Sequence, residues 1–258
     1  MSGSGVAAMA TSDASTSDAS TSDASTSDSP LLEARGLSAG YGSLAAVREL
    51  DLSIGAGEVV ALLGPNGAGK TTTLRTLAGA LAPLAGEVLW KGEPTRAPMH
   101  RRARAGLAYV PEERSVFMGL TAAENLRVGD GPASKALELF PELELHLKRK
   151  AGLLSGGQQQ ILTLARALAT DPKVLLADEL SLGLAPMIVT RLLQAVRAAA
   201  GRGVGVLLVE QHARQALSVA DRVYVLQRGR VALEGTSAEI LDRLDEVEQT
   251  YLEGPAIA

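Results

Sequence analysis

Val59-Val60-Ala61-Leu62-Leu63 runs without a break into Gly64-Pro65-Asn66-Gly67-Ala68-Gly69-Lys70-Thr71-Thr72. An uninterrupted apolar run of this length is what a strand buried on both faces needs, and the glycines after it allow a tight turn whose backbone N–H groups point inward. The helix that follows adds the unpaired N–H groups of its first turn, which favour negative charge. In such a cradle Lys70 supplies a point charge to the outer phosphates of a nucleotide, and the Thr71 hydroxyl is placed to ligate Mg²⁺. A glycine-rich surface loop is the bland alternative, and the strand-then-helix context argues against it.

Further along the chain, Leu154-Ser155-Gly156-Gly157-Gln158-Gln159-Gln160 opens an amphipathic helix with Ile161, Leu164, Ala165 and Leu168 at helical spacing, ending near Thr170-Asp171-Pro172. Taken alone it is a capped helix start. Val174-Leu175-Leu176-Ala177-Asp178-Glu179 then predicts an apolar strand that delivers two adjacent carboxylates at its C-terminal end, where ligands bind in a parallel α/β sheet. Paired acids beside a buried strand are costly unless they meet a cation or do chemistry.

These three motifs, in this order, resemble the nucleotide-binding subunit of an ABC transporter, and the resemblance covers about residues 31–254. Tyr109-Val110-Pro111-Glu112, Phe117, Leu120 to Leu126, Asp178 to Pro186 and Leu208-Val209-Glu210-Gln211-His212 are similar to the ATPase of branched-chain amino-acid importers, the LivF type. The resemblance implies an α/β fold: a P-loop NTPase core with a mostly parallel sheet, an N-terminal antiparallel β-subdomain and an inserted helical subdomain at about 114–160. It also implies ATP and Mg²⁺ as ligands. Gly64 to Thr72 would hold the phosphates, with Tyr41 stacked on the adenine; by its own position Tyr41 is equally a half-buried strand tyrosine. Thr71 and Asp178 would organise Mg²⁺, with Glu112 near the ion or its water. Glu179 would orient or deprotonate the attacking water. His212 would contact the γ-phosphate, although a lone histidine past a strand end is more often a surface or capping residue. By the same analogy Ser155, Gly156, Gly157 and Gln158 cap the nucleotide of a second ABC ATPase subunit, related or identical, so the active site is completed only in a dimer.

The implied partners are integral-membrane permease subunits and, indirectly, an extracytoplasmic solute-binding protein, with the chain peripheral on the cytoplasmic face of the membrane. Urea, amides or another small polar solute are alternative cargoes, because the motor does not touch the cargo. A soluble ABC switch without transport is a different class; it would show tandem cassettes or a long coiled coil, and the sequence has neither. Leu180 stands where a proline commonly follows the Asp-Glu pair, which predicts a freer backbone after Glu179 and slower hydrolysis.

The rest of the sequence bounds these readings. There are 258 residues, 46% of them hydrophobic, and no cysteine. That suits one α/β domain and excludes disulfides and thiolate metal sites; with no apparent secretory leader it fits a reducing compartment. Residues 1–30 carry repeats of Thr-Ser-Asp-Ala-Ser and are expected to be a disordered tail. Asp13, Asp18, Asp23 and Asp28 account for the whole formal charge of −4, so the folded part is neutral. Thr71 to Leu81 predicts a helix stopped by Pro83. His100-Arg101-Arg102-Ala103-Arg104 is short, lacks interleaved aromatics and reads as a solvated helix face, so no nucleic-acid partner is expected.

Overall fold

The computed structural model describes residues 29–113 and 115–252. Most of the N-terminal repeats therefore lie outside the described residues.

The apolar runs become the strands of a six-stranded sheet in the order β10-β9-β3-β8-β7-β6. They are β3 (Val59–Leu63), β6 (Leu107–Val110), β7 (Val174–Asp178), β8 (Gly205–Glu210), β9 (Arg222–Gln227) and β10 (Arg230–Thr236). All neighbours are parallel except the β9–β10 hairpin, turned by Arg228 and Gly229 with φ of 49° and 79°. Period-2 alternation sorts the side chains. Leu62, Leu176, Leu207 and Val209 face one side, while Leu175, Ala177, Val206 and Leu208 face the other. Each face needs a cover.

The first face is covered by α1 (Lys70–Ala78) and by an antiparallel sheet of β1 (Leu32–Tyr41), β2 (Leu44–Ile54), β4 (Ala85–Trp90) and β5 (Glu93–Pro94), in the order β2-β1-β4-β5. The second is covered by α5 (Gly156–Leu168) and α6 (Pro186–Ala200). Between β6 and β7 the chain forms α3 (Ala122–Val128), α4 (Ala133–Leu139) and two short 3₁₀ turns before α5. The breaks fall at Gly129–Pro132 and Pro141, where the sequence carries helix-stopping residues. The remaining helices are α2 (Met99–Arg104), α7 (Ala213–Leu217), α8 (Ser237–Asp242) and α9 (Leu244–Leu252).

Two expectations are corrected. The helix after the glycine-rich turn ends at Ala78, not near Pro83, because Gly79 adopts φ 78° and its N–H bonds back to Arg75 and Thr76 carbonyls. The basic run is a solvated face only in part. Arg102 is buried, and its guanidinium donates to the carbonyls of Thr76 and Leu77 at the C-terminal end of α1 and to Thr95 and Ala97. It satisfies carbonyls that a helix end leaves unpaired, in favourable register with the helix dipole.

Candidate functional site

Because β3, β6, β7, β8 and β9 are parallel, their C-terminal ends share one edge of the sheet. The glycine-rich turn, Glu112, the Asp178-Glu179 pair and Glu210-Gln211 are thereby brought together from distant parts of the chain. At this edge lies a cleft of about 540 Å³ lined by Asn66, Gly67, Gly69 to Thr72, Glu112, Glu179 and Gln211, among others. That volume suits a small ligand.

Gly69 caps α1 at φ 106° and offers no side chain to the first turn, so the N–H groups there stay available to an anion. A Cβ at Gly69 would lie 2.6 Å from Val47 Cγ2 and 2.8 Å from the Ala46 carbonyl. No other residue fits. The β9–β10 turn braces the same loop, with the Gly229 N–H on the Ala68 carbonyl at 3.2 Å. Gly64 and Ala68 are buried and Pro65 is half-buried, and none of the three lines the cleft. Lys70 is 5% exposed, and its Nζ donates to the carbonyls of Gly64 at 2.8 Å and Pro65 at 3.1 Å, 3.8 Å from Glu179 Oε1. Burial pushes its pKa down, and Glu179 and Asp178 oppose that shift.

Asp178 is fully buried, and neither of its carboxylate oxygens has a hydrogen-bond partner. Burial raises its pKa to about 6; the Thr71 hydroxyl nearby lowers it without closing a hydrogen bond, and Glu179 and Glu112 raise it further. Two orphaned oxygens beside a threonine hydroxyl fit a hard divalent cation. Among the described residues no three His, Cys, Asp or Glu cluster as a resident metal cage. A divalent cation held there would take the rest of its ligands from water or a bound anion.

Glu179 is 7% exposed and stands at φ 47°, the left-handed region that a residue with a Cβ enters at a cost of about 1 kcal/mol. Gln211 Nε2 donates to both its carboxylate oxygens at 2.8 Å. Leu180 does not free the backbone here. Its side chain is 1% exposed in the core under α5 and α6, so packing holds the segment that a proline ring would otherwise restrain.

The other expected site residues lie apart from the cleft. Tyr41 ends β1, is 54% exposed, and accepts a 3.1 Å hydrogen bond from Arg75. Ser155 is the N-cap of α5, in a reciprocal capping box with Gln158. Gly157 has its reason in packing, since a Cβ there would sit 3.0 Å from Ile188 of α6. Ser155, Gly156, Gly157 and Gln158 do not line the cleft, and neither does His212, which is exposed at the start of α7.

Sequence reasoning passed over Glu210 and Gln211. The signal was present: polar residues closing a buried strand, the same logic that singled out Asp178 and Glu179. Glu210 is 1% exposed, and burial raises its pKa to about 7. A carboxyl whose pKa is higher folded than unfolded contributes stability that is fully present below the unfolded value of about 4.3 and lost as pH rises through about 7. Relative to Glu210→Gln, the wild type is thus expected to lose on the order of 3 kcal/mol between pH 4.5 and 8. Urea unfolding of both proteins across that range checks it; a difference independent of pH would show that Glu210 does not titrate there.

The family model for the ABC transporter matches residues 47–181. A high-affinity branched-chain amino-acid transport ATP-binding protein of Pseudomonas aeruginosa, BraG, is 41% identical over 84% of this chain and 97% of its own length. A lipopolysaccharide export ATP-binding protein of Acidithiobacillus ferridurans, LptB, is 39% identical over 87% of this chain and 97% of its own. Among solved structures, a dimeric ATP-binding cassette bound to ADP and Pi superposes with a TM-score of 0.71 at 26% identity, covering 80% of this chain and 98% of that one. Matches of this length and identity mean that the chain belongs to the ABC transporter family, as one of its nucleotide-binding, ATP-hydrolysing subunits.

Proposed function

We propose that the chain is the motor of an importer for branched-chain or related amino acids. It would work as one half of a two-cassette dimer, peripheral on the cytoplasmic face of a membrane. No helix among the described residues is long and apolar enough to cross a bilayer, so docking on integral-membrane permease subunits supplies the attachment. An extracytoplasmic solute-binding protein delivers the cargo.

In this reading the amides of Gly67 to Thr71 and Lys70 hold the β- and γ-phosphates, and Tyr41 supports the base. Thr71 and Asp178 hold Mg²⁺, with Glu112 at the rim. The ion, when bound, neutralises charge on the phosphate oxygens. Glu179 orients the attacking water and takes its proton, Gln211 fixes that carboxylate, and His212 swings onto the γ-phosphate when the cleft closes. Protein groups here position and stabilise charge rather than form covalent bonds. The capped N-terminus of α5, with Ser155 exposed, supplies Ser155 to Gln158 to the partner's nucleotide. ATP then favours the closed dimer by contacts the open one lacks, and hydrolysis removes them.

The observation that carries the substrate class is the likeness to BraG over 84% of this chain and 97% of that one. The comparable likeness to LptB decides the form of the test. Proteoliposomes holding the chain with its co-expressed permease and binding protein should accumulate labelled leucine, isoleucine or valine only with ATP inside. Accumulation of urea or amides instead would correct the cargo. Failure to move any small solute, with lipopolysaccharide extracted instead, would overturn the importer reading while leaving the ATPase intact.

A further inference from the structure

Strand β8 ends in residues that grip the segment carrying Glu179 at successive points. The Val209 carbonyl accepts the Glu179 N–H at 2.9 Å. The two oxygens of Glu210 accept the Ser181 main-chain N–H at 3.1 Å and the Ser181 hydroxyl at 2.5 Å. Gln211 holds the Glu179 carboxylate itself, and Leu180 is anchored in the core between the two polar contacts. A non-glycine residue at φ 47° persists only where its surroundings over-determine it, and residues 179–181 are held from both ends.

Glu210 has no ion-pair partner among the described residues. A buried carboxylate without a cation is a poor stabilising device: desolvation disfavours it, and the two Ser181 donors offset only part of that cost. An apolar side chain would suit the end of a strand in this core. What the carboxylate provides is two acceptors at a fixed spacing, able to take both the N–H and the O–H of one serine. The chemistry serves the shape of a turn.

We propose that Glu210, acting through Ser181, is a positioning residue for Glu179: it locks the 179–181 turn so that the Glu179 carboxylate meets the attacking water. This rests on Glu179 being the base of the ATPase reaction. Ser181→Ala removes one hydroxyl and leaves the N–H bond to Glu210, so the fold is retained. The expected result is a fall in kcat of about tenfold with KM for ATP and nucleotide affinity within about twofold of wild type. Ser181→Thr, which keeps the hydroxyl, restores kcat. Glu210→Gln, still able to accept from the N–H and pair with the hydroxyl, keeps most of the activity, whereas Glu210→Leu does not.

The deciding measurement repeats Ser181→Ala in a Glu179→Gln background. With no base left to misplace, the residual turnover there is unchanged by the second substitution. An equal fold-loss in both backgrounds, or a loss expressed in ATP affinity, overturns the proposal. Should Glu210→Leu fail to fold, the serine pair still decides. Should Glu179→Gln turn over as wild type does, the assignment of the base fails first, and the role of Glu210 falls with it.

Discussion

Glu179→Gln is expected to lower kcat for ATP hydrolysis by about 10²–10⁴-fold while leaving ATP affinity undiminished. The substitution is isosteric, so the φ 47° turn, the Leu180 anchor and the Ser181 contacts have no reason to change. What disappears is the ability to take a proton. One of the two hydrogen bonds from Gln211 Nε2 also loses its acceptor, because an amide presents a single oxygen where the carboxylate presents two. The electrostatic consequence runs the other way for binding. Glu179 is one of the groups that raise the Asp178 pKa, so neutralising it lets Asp178 ionise more readily and strengthens the proposed cation position. Mg-ATP should then bind at least as tightly as to wild type, and unhydrolysed nucleotide should accumulate in the capped dimer. Phosphate release, equilibrium binding and size-exclusion chromatography in Mg-ATP measure the three effects separately. Turnover within about threefold of wild type would remove Glu179 from the role of base.

The parts of this molecule legible in its sequence are those where backbone and burial demands coincide. Val59 to Leu63 and Val174 to Ala177 read as buried strands because both faces of a parallel sheet are covered, and the cassette indeed covers them with α1 and the antiparallel sheet on one side and α5 and α6 on the other. The glycines of the turn are readable too, and at Gly69 the structure adds a second reason, the approach of Val47 and Ala46. Less legible were choices between competing local signals. Gly79 and Pro83 both stop helices, and the nearer one prevailed because its left-handed conformation closes two carbonyls. At Leu180 the sequence signal is the missing proline torsion, whereas the restraint lies in burial of its side chain in the core. β8 continues through Glu210, so Gln211 is the first residue past the strand and lines the cleft, while His212 is the N-cap of the next helix. A one-residue step at the end of a strand decides which side chain meets a ligand, and apolar periodicity stops carrying information there.

Lys70→Ala should produce the broadest loss, because one ammonium serves three purposes. Its Nζ pins the loop through the Gly64 and Pro65 carbonyls, it lies 3.8 Å from Glu179, and it is the positive charge nearest the proposed phosphate position. Charge-assisted hydrogen bonds are worth about 1.5–3 kcal/mol each, so losing one or two to the phosphates weakens ATP binding by about 10–10⁴-fold. The second effect concerns the acids. Lys70 holds the Asp178 pKa below where burial alone would put it, so its removal sends that pKa above about 6 and leaves a larger share of Asp178 protonated near neutrality. Turnover should therefore fall further than affinity does. The two effects separate by pH: from pH 7 to pH 9 Asp178 ionises and the Mg²⁺-dependent part of binding recovers, while the phosphate contact does not. Lys70→Arg is no rescue, since a planar fork does not fit between two carbonyls set for a compact ammonium. Nucleotide titrations of wild type and Lys70→Ala at both pH values, with and without Mg²⁺, test the division. Undiminished hydrolysis in Lys70→Ala would mean that the phosphates bind elsewhere, and equal losses at both pH values would mean that Lys70 acts on the phosphates alone and leaves Asp178 untouched.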